Sequence, residues 1–206
     1  MNQIRLIGTV SDIQFSHSFF GKDMYECYVS SKRLSGAVDK VHCIIPGKFA
    51  ENINDGDRVD IDGTVRTRNY DGKDGKRHLG IFVFAENVFM ADEEDMNIVT
   101  GNGFVCKMSE KRTTPLTHRE IIDFLVAIHR KESKGGTFSD YIPCIAWEGV
   151  SKKIDGIAIG TEIDFTGRLQ SRIYAKEVSE GVYEEMTAYE LSLSDVEVKE
   201  DNRNGI

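Results

Sequence analysis

Residues 56 to 70 read GDRVDIDGTVRTRNY, so that Val59, Ile61, Val65 and Thr67 alternate with Asp60, Asp62, Thr64, Arg66 and Arg68. Successive side chains of a strand point to opposite faces, so this period of two predicts a strand with one face toward a core. The other face carries Arg66, Arg68 and Tyr70 in a row. The same alternation predicts about five strands in the first half of the chain, near 3 to 10, 24 to 33, 38 to 46, 57 to 68 and 79 to 90. Short helical turns are expected after the third strand, at GKFAENI (47 to 53), and at WEGVSKKI (147 to 154) in the second half.

The pattern occurs twice. GDRVDIDGTVRTRNY returns as GTEIDFTGRLQSRIY (160 to 174), where Gly56, Gly63, Arg68 and Tyr70 meet Gly160, Gly167, Arg172 and Tyr174 at a constant offset of 104. Upstream, HCIIPG (42 to 47) resembles PCIAWEG (143 to 149), and CYVSSKR (27 to 33) resembles FLVAIHR (124 to 130). The second half therefore repeats the first. We expect a first domain over 1–91, an acidic and Gly-containing linker over 92–102, a second domain over 103–200 and a short polar tail over 201–206.

One segment points two ways. LTHREIIDFLVAIHRKE (116 to 132) offers Thr117 and Glu120 as a capping box ahead of helically spaced Ile121, Ile122, Leu125 and Ile128. The repeat places 124 to 130 on a strand instead, and the alternation Phe124, Val126, Ile128, Arg130 accommodates it. We take the strand, preceded by a basic loop. Three strands, a small helical excursion and two further strands is the order of an OB-fold. The expected fold class is all-β: two tandem OB-fold domains, each a five-stranded Greek-key barrel with short helical turns.

Composition adds bounds. Of 206 residues, 40% are hydrophobic and 29% charged, which argues against disorder. MNQIRLIGTVSDI has no apolar run suited to a signal peptide or a spanning helix, so a cytoplasmic protein is expected. Cys27, Cys43, Cys106 and Cys144 form no CxxC pair, and the five histidines are dispersed, so no metal or cofactor is expected and the thiols read as reduced and mostly buried.

The net charge of -8 is unevenly spread. From Arg58 to His78 six basic residues face four acidic ones, and from Lys107 to Lys134 seven face four, whereas from Glu177 to Glu200 Lys199 alone faces eight. An acidic sum thus leaves room for basic faces, since the field follows where charges sit.

LIGTV near the start, PGKFAENINDGDRVDIDGTVRTRNYDGKDGK in the first repeat, and YIPCIAWEGVSKKI with GTEIDFTGRLQSRIY in the second resemble the bacterial single-stranded DNA-binding protein family. The second repeat, around FLVAIHR, is also similar to primosomal replication protein N. The resemblance implies sequence-tolerant binding of single-stranded DNA, RNA not being distinguished, in replication, recombination or repair. It implies no catalysis, no membrane, and a homodimer that assembles four OB-folds. The family's base-stacking aromatic after the fourth strand matches Tyr70 and Tyr174. Its two aromatics on the third strand match Tyr141 and Trp147, but in the first repeat Val41 and Pro46 stand there, so a thinner stacking surface is expected. Replication proteins are further partners of the family through an acidic tail tip; this chain reads KEDNRNGI instead, and that route is expected to be absent.

The nucleic-acid-binding residues expected on this reading are Lys32, Arg33, Arg66, Arg68, Tyr70, Lys73 and Lys76 in the first repeat, and Arg130, Lys131, Tyr141, Trp147, Arg168, Arg172 and Tyr174 in the second. Lys and Arg neutralise phosphates and release counterions, while aromatic rings stack on any base. Lys73, Lys76 and Arg77 are expected at the tip of a hairpin over 69 to 78; the second repeat instead offers Lys107, Lys111, Arg112, Arg130, Lys131 and Lys134. Structural readings compete with each assignment. Arg66 and Arg68 suit an ion-pair lattice with Asp60 and Asp62, Tyr70 or Tyr174 a barrel cap, Trp147 a core site, and Lys152 and Lys153 plain solvent exposure. A protein-binding module in replication restart is the main rival function. A nuclease fits poorly, because the acids at 92 to 95 and 184 to 185 fall in linker and loop with no partnering His or Lys motif.

Overall fold

The computed structural model describes residues 1–72, 75–114, 118–131, 136–179 and 181–199, with backbone alone at 131, 176, 178 and 179. Strands β1 (Asn2–Phe19), β2 (Lys22–Lys32), β3 (Val38–Pro46), β4 (Arg58–Asp71) and β5 (Arg77–Met90) follow the alternation, with the helical turn α1 (Gly47–Ala50) between β3 and β4. Ile4, Leu6, Val10, Cys27, Val29, Val41, Cys43, Ile45, Val59, Ile61, Val65, Ile81, Val83 and Ala85 are buried, so the apolar face of each strand meets in one core. β1 pairs antiparallel with β2 and β4, β2 with β3, and β4 with β5, while β3 and β5 pair in parallel. The order β1-β2-β3-β5-β4-β1 closes a five-stranded barrel with OB-fold connectivity.

The second repeat builds the same ring from β6 (Met96–Met108), β8 (Glu120–Lys131), β9 (Thr137–Trp147), β10 (Glu162–Ser179) and β11 (Val182–Val198). The two-residue β7 (Arg112–Thr113) lies on β8, and α2 (Glu148–Ile154) follows β9. β6 pairs with β8 and β10, β8 with β9, and β9 runs parallel to β11 at Cys144 and Leu191. The stretch with helical spacing is strand: Ile122, Phe124, Val126 and Ile128 are buried and register against β9. Glu120 of the capping box opens β8; Thr117 lies outside the described residues, as do residues 201–206 of the expected tail. Met96 to Asn102 of the expected linker belong to β6.

By contacts the chain groups into an N-terminal unit, Gln3–Ile98 with Leu169–Tyr189, and a C-terminal unit, Met1–Asn2 with Val99–Arg168 and Glu190–Ile206. The outer part of the β10–β11 hairpin thus belongs with the first repeat's residues. Among the described residues no helix is long and apolar enough to cross a membrane.

The repeated glycines have a backbone cause. Gly56 and Gly160 sit at φ +95° and +93°, and their N–H groups donate to Val10 O and Val105 O at 2.9 and 2.7 Å, closing the turn into β4 and β10. A Cβ on Gly63 would lie 2.3 Å from Phe84 O, and one on Gly167 2.6 Å from Ser192 O, both backbone atoms that cannot step aside. Gly63→Ala is therefore expected to destabilise the protein by about 2–3 kcal/mol, the upper part of the overpacking range, read as a lower denaturant midpoint.

Candidate nucleic-acid interface

In the N-terminal unit the outward residues of β4 lie opposite those of β5 in register: Arg66 with Phe82, Arg68 with Gly80, Tyr70 with His78. The Arg68 guanidinium is 5.9 Å from the Phe82 ring centroid, and Tyr70 stacks on His78 at 5.6 Å and 27°. Gly80 leaves room there; a Cβ would touch the Tyr70 ring at 3.3 Å. Arg66 Nε donates to Thr64 Oγ1 at 2.9 Å. Asp60 is paired with Arg5 at 2.6 Å, which takes it out of an ion-pair lattice with Arg66 and Arg68.

The face continues across the barrel. His42 on β3 is 6.3 Å from Phe82, Tyr28 on β2 is 5.4 Å from His42, and Lys40 Nζ stands 4.6 Å over the Tyr28 ring. Burial holds the His42 pKa down, with Glu26 pulling it up and Arg68 pushing it down further, so the ring is neutral at neutral pH. Tyr28, His42 and Phe82 form a band of half-buried aromatic faces with cations at either end. The surface of the first repeat is thus less thin than Val41 and Pro46 suggested: Val41 points into the core, while the rings come from β2 and β5.

A second aromatic group lies on the β1–β2 hairpin. β1 runs on to Phe19, well past the expected end near residue 10, and Phe20-Gly21, at φ +48° and +71°, make a two-residue turn. Phe15, Phe19 and Phe20 are exposed, Phe20 by 75%. Phe15 meets Tyr25 edge-on at 5.9 Å, and Phe19 meets Phe20 at 4.5 Å. A bulky residue at positive φ is unfavourable, and this turn prefers Asn, Asp or Gly, so the phenylalanine is an off-pattern choice.

The remaining expected residues separate into groups. Lys32 is exposed at the end of β2, and Lys76 is exposed just ahead of β5; ladder pairing runs as far as Asp71 and Arg77, into the stretch over 69 to 78 expected as hairpin loop. Lys73 lies outside the described residues, as does the side chain of Lys131. Arg33 and Arg130 are engaged elsewhere. Arg33 Nε donates to Asp39 Oδ2 at 2.7 Å, with Nη2 on the other oxygen, and Arg130 Nε lies 3.1 Å from Asp140 Oδ2. Asp39 and Asp140 are 1% and 2% exposed, so each guanidinium answers a carboxylate that has left water, and neither arginine is carried into the interface. Sequence held a trace of this pair. CYVSSKR and FLVAIHR both end in arginine, and Asp39 and Asp140 both stand four residues before a cysteine.

In the C-terminal unit Tyr141 is exposed on β9, and half-buried Trp147 ends the same strand six residues on, about 20 Å away at strand rise. The Arg130 guanidinium lies 5.2 Å from the exposed Phe138 ring. Lys111 pairs with Glu120 and Asp155 at 3.2 and 3.4 Å, and Arg112 with Asp123 at 2.7 Å, so the basic count over 107 to 134 overstates the uncommitted charge there. Lys152 and Lys153 are exposed on α2, the latter 2.5 Å from Asp195. Arg168 is half-buried in the C-terminal unit. Arg172 and Tyr174, further along β10, belong to the N-terminal one, where the Arg172 guanidinium is 5.7 Å from the Tyr174 ring centroid and both are exposed.

No protein-family model matches the chain. Over 72 residues it is 35% identical to Single-stranded DNA-binding protein 2 of Listeria monocytogenes, a match covering 32% of this chain and 45% of that protein. Over 54 residues it is 43% identical to the single-stranded DNA-binding protein of Bacillus cereus, covering 24% of this chain and 32% of that one. The chain thus spans less than half the length of these curated relatives. The N-terminal domain of PriB from Thermoanaerobacter tencongensis aligns over 45% of this chain with 29% identity and a TM-score of 0.37. The wild-type single-stranded DNA binding protein from Thermus aquaticus aligns over 98% of this chain and 94% of its own, at a TM-score of 0.75 and 14% identity, a likeness of fold. In local sequence and in fold, this chain is similar to the bacterial single-stranded DNA-binding proteins.

Proposed function

We propose that the chain binds single-stranded DNA with little sequence preference, by stacking bases on aromatic rings and neutralising phosphates, in replication, recombination or repair. The observation that carries this reading is the continuous band Tyr28, His42 and Phe82, flanked by Lys40 and Arg68 and extended by Tyr70 on its hairpin. Ring faces can stack on a polymer whose bases are unstacked, and flanking cations can neutralise one that is charged. An unpaired polynucleotide is both. Ring-to-ring steps of 5.4 and 6.3 Å are comparable to the step between nucleotides of an extended strand.

The exposed Phe15, Phe19 and Phe20 join this interface in the proposal, because loops between the first two strands of OB-folds commonly reach ligand. Tyr141, Trp147 and Arg168 form the C-terminal unit's share. No reaction is proposed. The proposed assembly is a homodimer, whose particle has twice the 23.2 kDa mass of the chain by light scattering; a particle of one chain's mass removes it.

The test is a titration of labelled oligo(dT) with variants of two exposed residues. Tyr174→Ala should weaken binding about fivefold at every salt concentration, the lower end of a stacking contribution. Arg172→Ala should weaken it similarly at low salt and make the log-log salt slope shallower by about 0.7, one phosphate contact on a single strand. Equal salt slopes for both variants contradict these roles.

A further inference from the structure

The buried carboxylate of Asp39 has one partner whose place in the molecule is informative. Besides Arg33 it accepts a hydrogen bond from the backbone N–H of Ser171 at 3.0 Å, and Ser171 Oγ in turn accepts from the Lys40 N–H at 2.9 Å. Two residues earlier, Asn97 reads the backbone of Leu169 twice: Nδ2 donates to Leu169 O at 2.8 Å, and Oδ1 accepts from Leu169 N at 3.0 Å. Leu169 itself is fully buried. Residues 169 to 171 are therefore fixed within the N-terminal unit by four hydrogen bonds, three to the side chains of Asp39 and Asn97 and one to the Lys40 backbone, with Asp39 1% exposed.

The chain that follows this clamp carries Arg172 and Tyr174, and the residue held by the clamp on β3 is Lys40, whose ammonium lies over the Tyr28 ring. Tyr189, at the other end of the same hairpin segment, is half-buried, and burial pushes its hydroxyl pKa up, with Tyr28 and Cys43 raising it further. The Leu169 end of this segment is thus bonded to Asp39 and Lys40 of β3, and Tyr189 at the other end feels the charge of Tyr28 and Cys43. Val41 and Pro46 of the first repeat's third strand stand where the second repeat has Tyr141 and Trp147, and this segment brings in Arg172 and Tyr174.

We infer that Asp39, Ser171 and Asn97 are positioning residues that hold the β10–β11 hairpin segment so that Arg172 and Tyr174 complete, within one chain, the nucleic-acid face formed by Tyr28, Lys40, His42, Phe82 and Arg68. This rests on the binding function proposed above and adds a composition: the N-terminal face is built from both repeats. Arg33 serves it indirectly, by holding the Asp39 carboxylate in its orientation through Nε and Nη2.

The experiment uses the full chain and three variants, Asp39→Ala, Asn97→Ala and Tyr174→Ala, with the two combinations that include Tyr174→Ala. Asn97→Ala leaves the buried Arg33 pair intact and serves if Asp39→Ala folds poorly. Hydrogen exchange reads the clamp without any DNA. Amides of residues 169 to 174 should lose protection in Asp39→Ala and Asn97→Ala while β3 and β4 keep theirs. Oligo(dT) titration reads the consequence. Each clamp variant should lose about fivefold or more in affinity, and its combination with Tyr174→Ala should cost less than the product of the two losses, because both act in part through the same ring. Unchanged protection over 169 to 174 overturns the inference, as does a loss of affinity that multiplies with that of Tyr174→Ala. A wild-type chain that binds no oligo(dT) overturns both this face and the proposed function; clamp protection that is lost as expected then shows only that the hairpin is anchored.

Discussion

Arg33→Ala is expected to lower the unfolding free energy by about 3–5 kcal/mol, a large part of the stability of an ordinary domain. The size comes from what remains rather than from what is removed. Asp39 is 1% exposed, and without the guanidinium its charge stays in a place that water does not reach, with the Ser171 N–H as too small a compensation. A surface pair of the same geometry would be worth about 0–1 kcal/mol. Urea denaturation decides between these. A midpoint that drops by the larger amount supports a desolvated pair, whereas a shift near that of a surface pair means that water enters beside Asp39. Arg33→Lys should not restore the loss in full, since one ammonium cannot meet both carboxylate oxygens in the way that Nε and Nη2 do.

Arg68→Ala combined with Tyr70→Ala should reduce affinity for oligo(dT) by about 2–4 kcal/mol, roughly 30- to 1,000-fold, one stacking ring and one phosphate contact together. Both side chains are exposed, so the fold should keep its denaturation midpoint within about 0.5 kcal/mol. The salt slope should become shallower by about 0.7. Binding unchanged in this double variant would move the interface off the β4–β5 hairpin. The same two residues in the other copy of the motif, Arg172 and Tyr174, lie on a segment whose contacts are with the first repeat's residues, so the two halves of the repeat are not equivalent in their surroundings.

What sequence could and could not reveal follows from the range of the interactions involved. Strand alternation is local, and β3 spans the very residues expected, Val38–Pro46, with α1 and α2 inside the expected helical turns. The repeat resolved 124 to 130 in favour of a strand because it carried long-range pairing that helical spacing alone cannot report. β1 was read too short for a physical reason. Asp12 sits at φ +58°, and the register against β2 shifts between Ser11 and Gln14 and again between Phe15 and His17, so bulges break the period of two just where the aromatic hairpin begins.

In the candidate site, Arg68 and Tyr70 were legible because motif and face coincide on one strand. Tyr28 and Phe82 were not, since an aromatic residue in a strand reads as core until its neighbours on both sides are known. Arg33 and Arg130 read as free cations for the converse reason: Asp39 and Asp140, six and ten residues away, are found only through the β2–β3 and β8–β9 ladders. Gly63 and Gly167 were visible as a repeat, and their cause, a backbone oxygen 2.3 or 2.6 Å from where a Cβ would sit, required the closed barrel.

The central claim is that ring faces flanked by cations hold a strand whose bases are free. Competition of labelled oligo(dT) against unlabelled oligo(dT) and against duplex of equal length, at two salt concentrations, tests it most directly. The account predicts that the single strand competes at least 100-fold better than duplex and that its affinity falls as salt rises. Duplex competing as well as the single strand, or binding that is indifferent to salt, would contradict it.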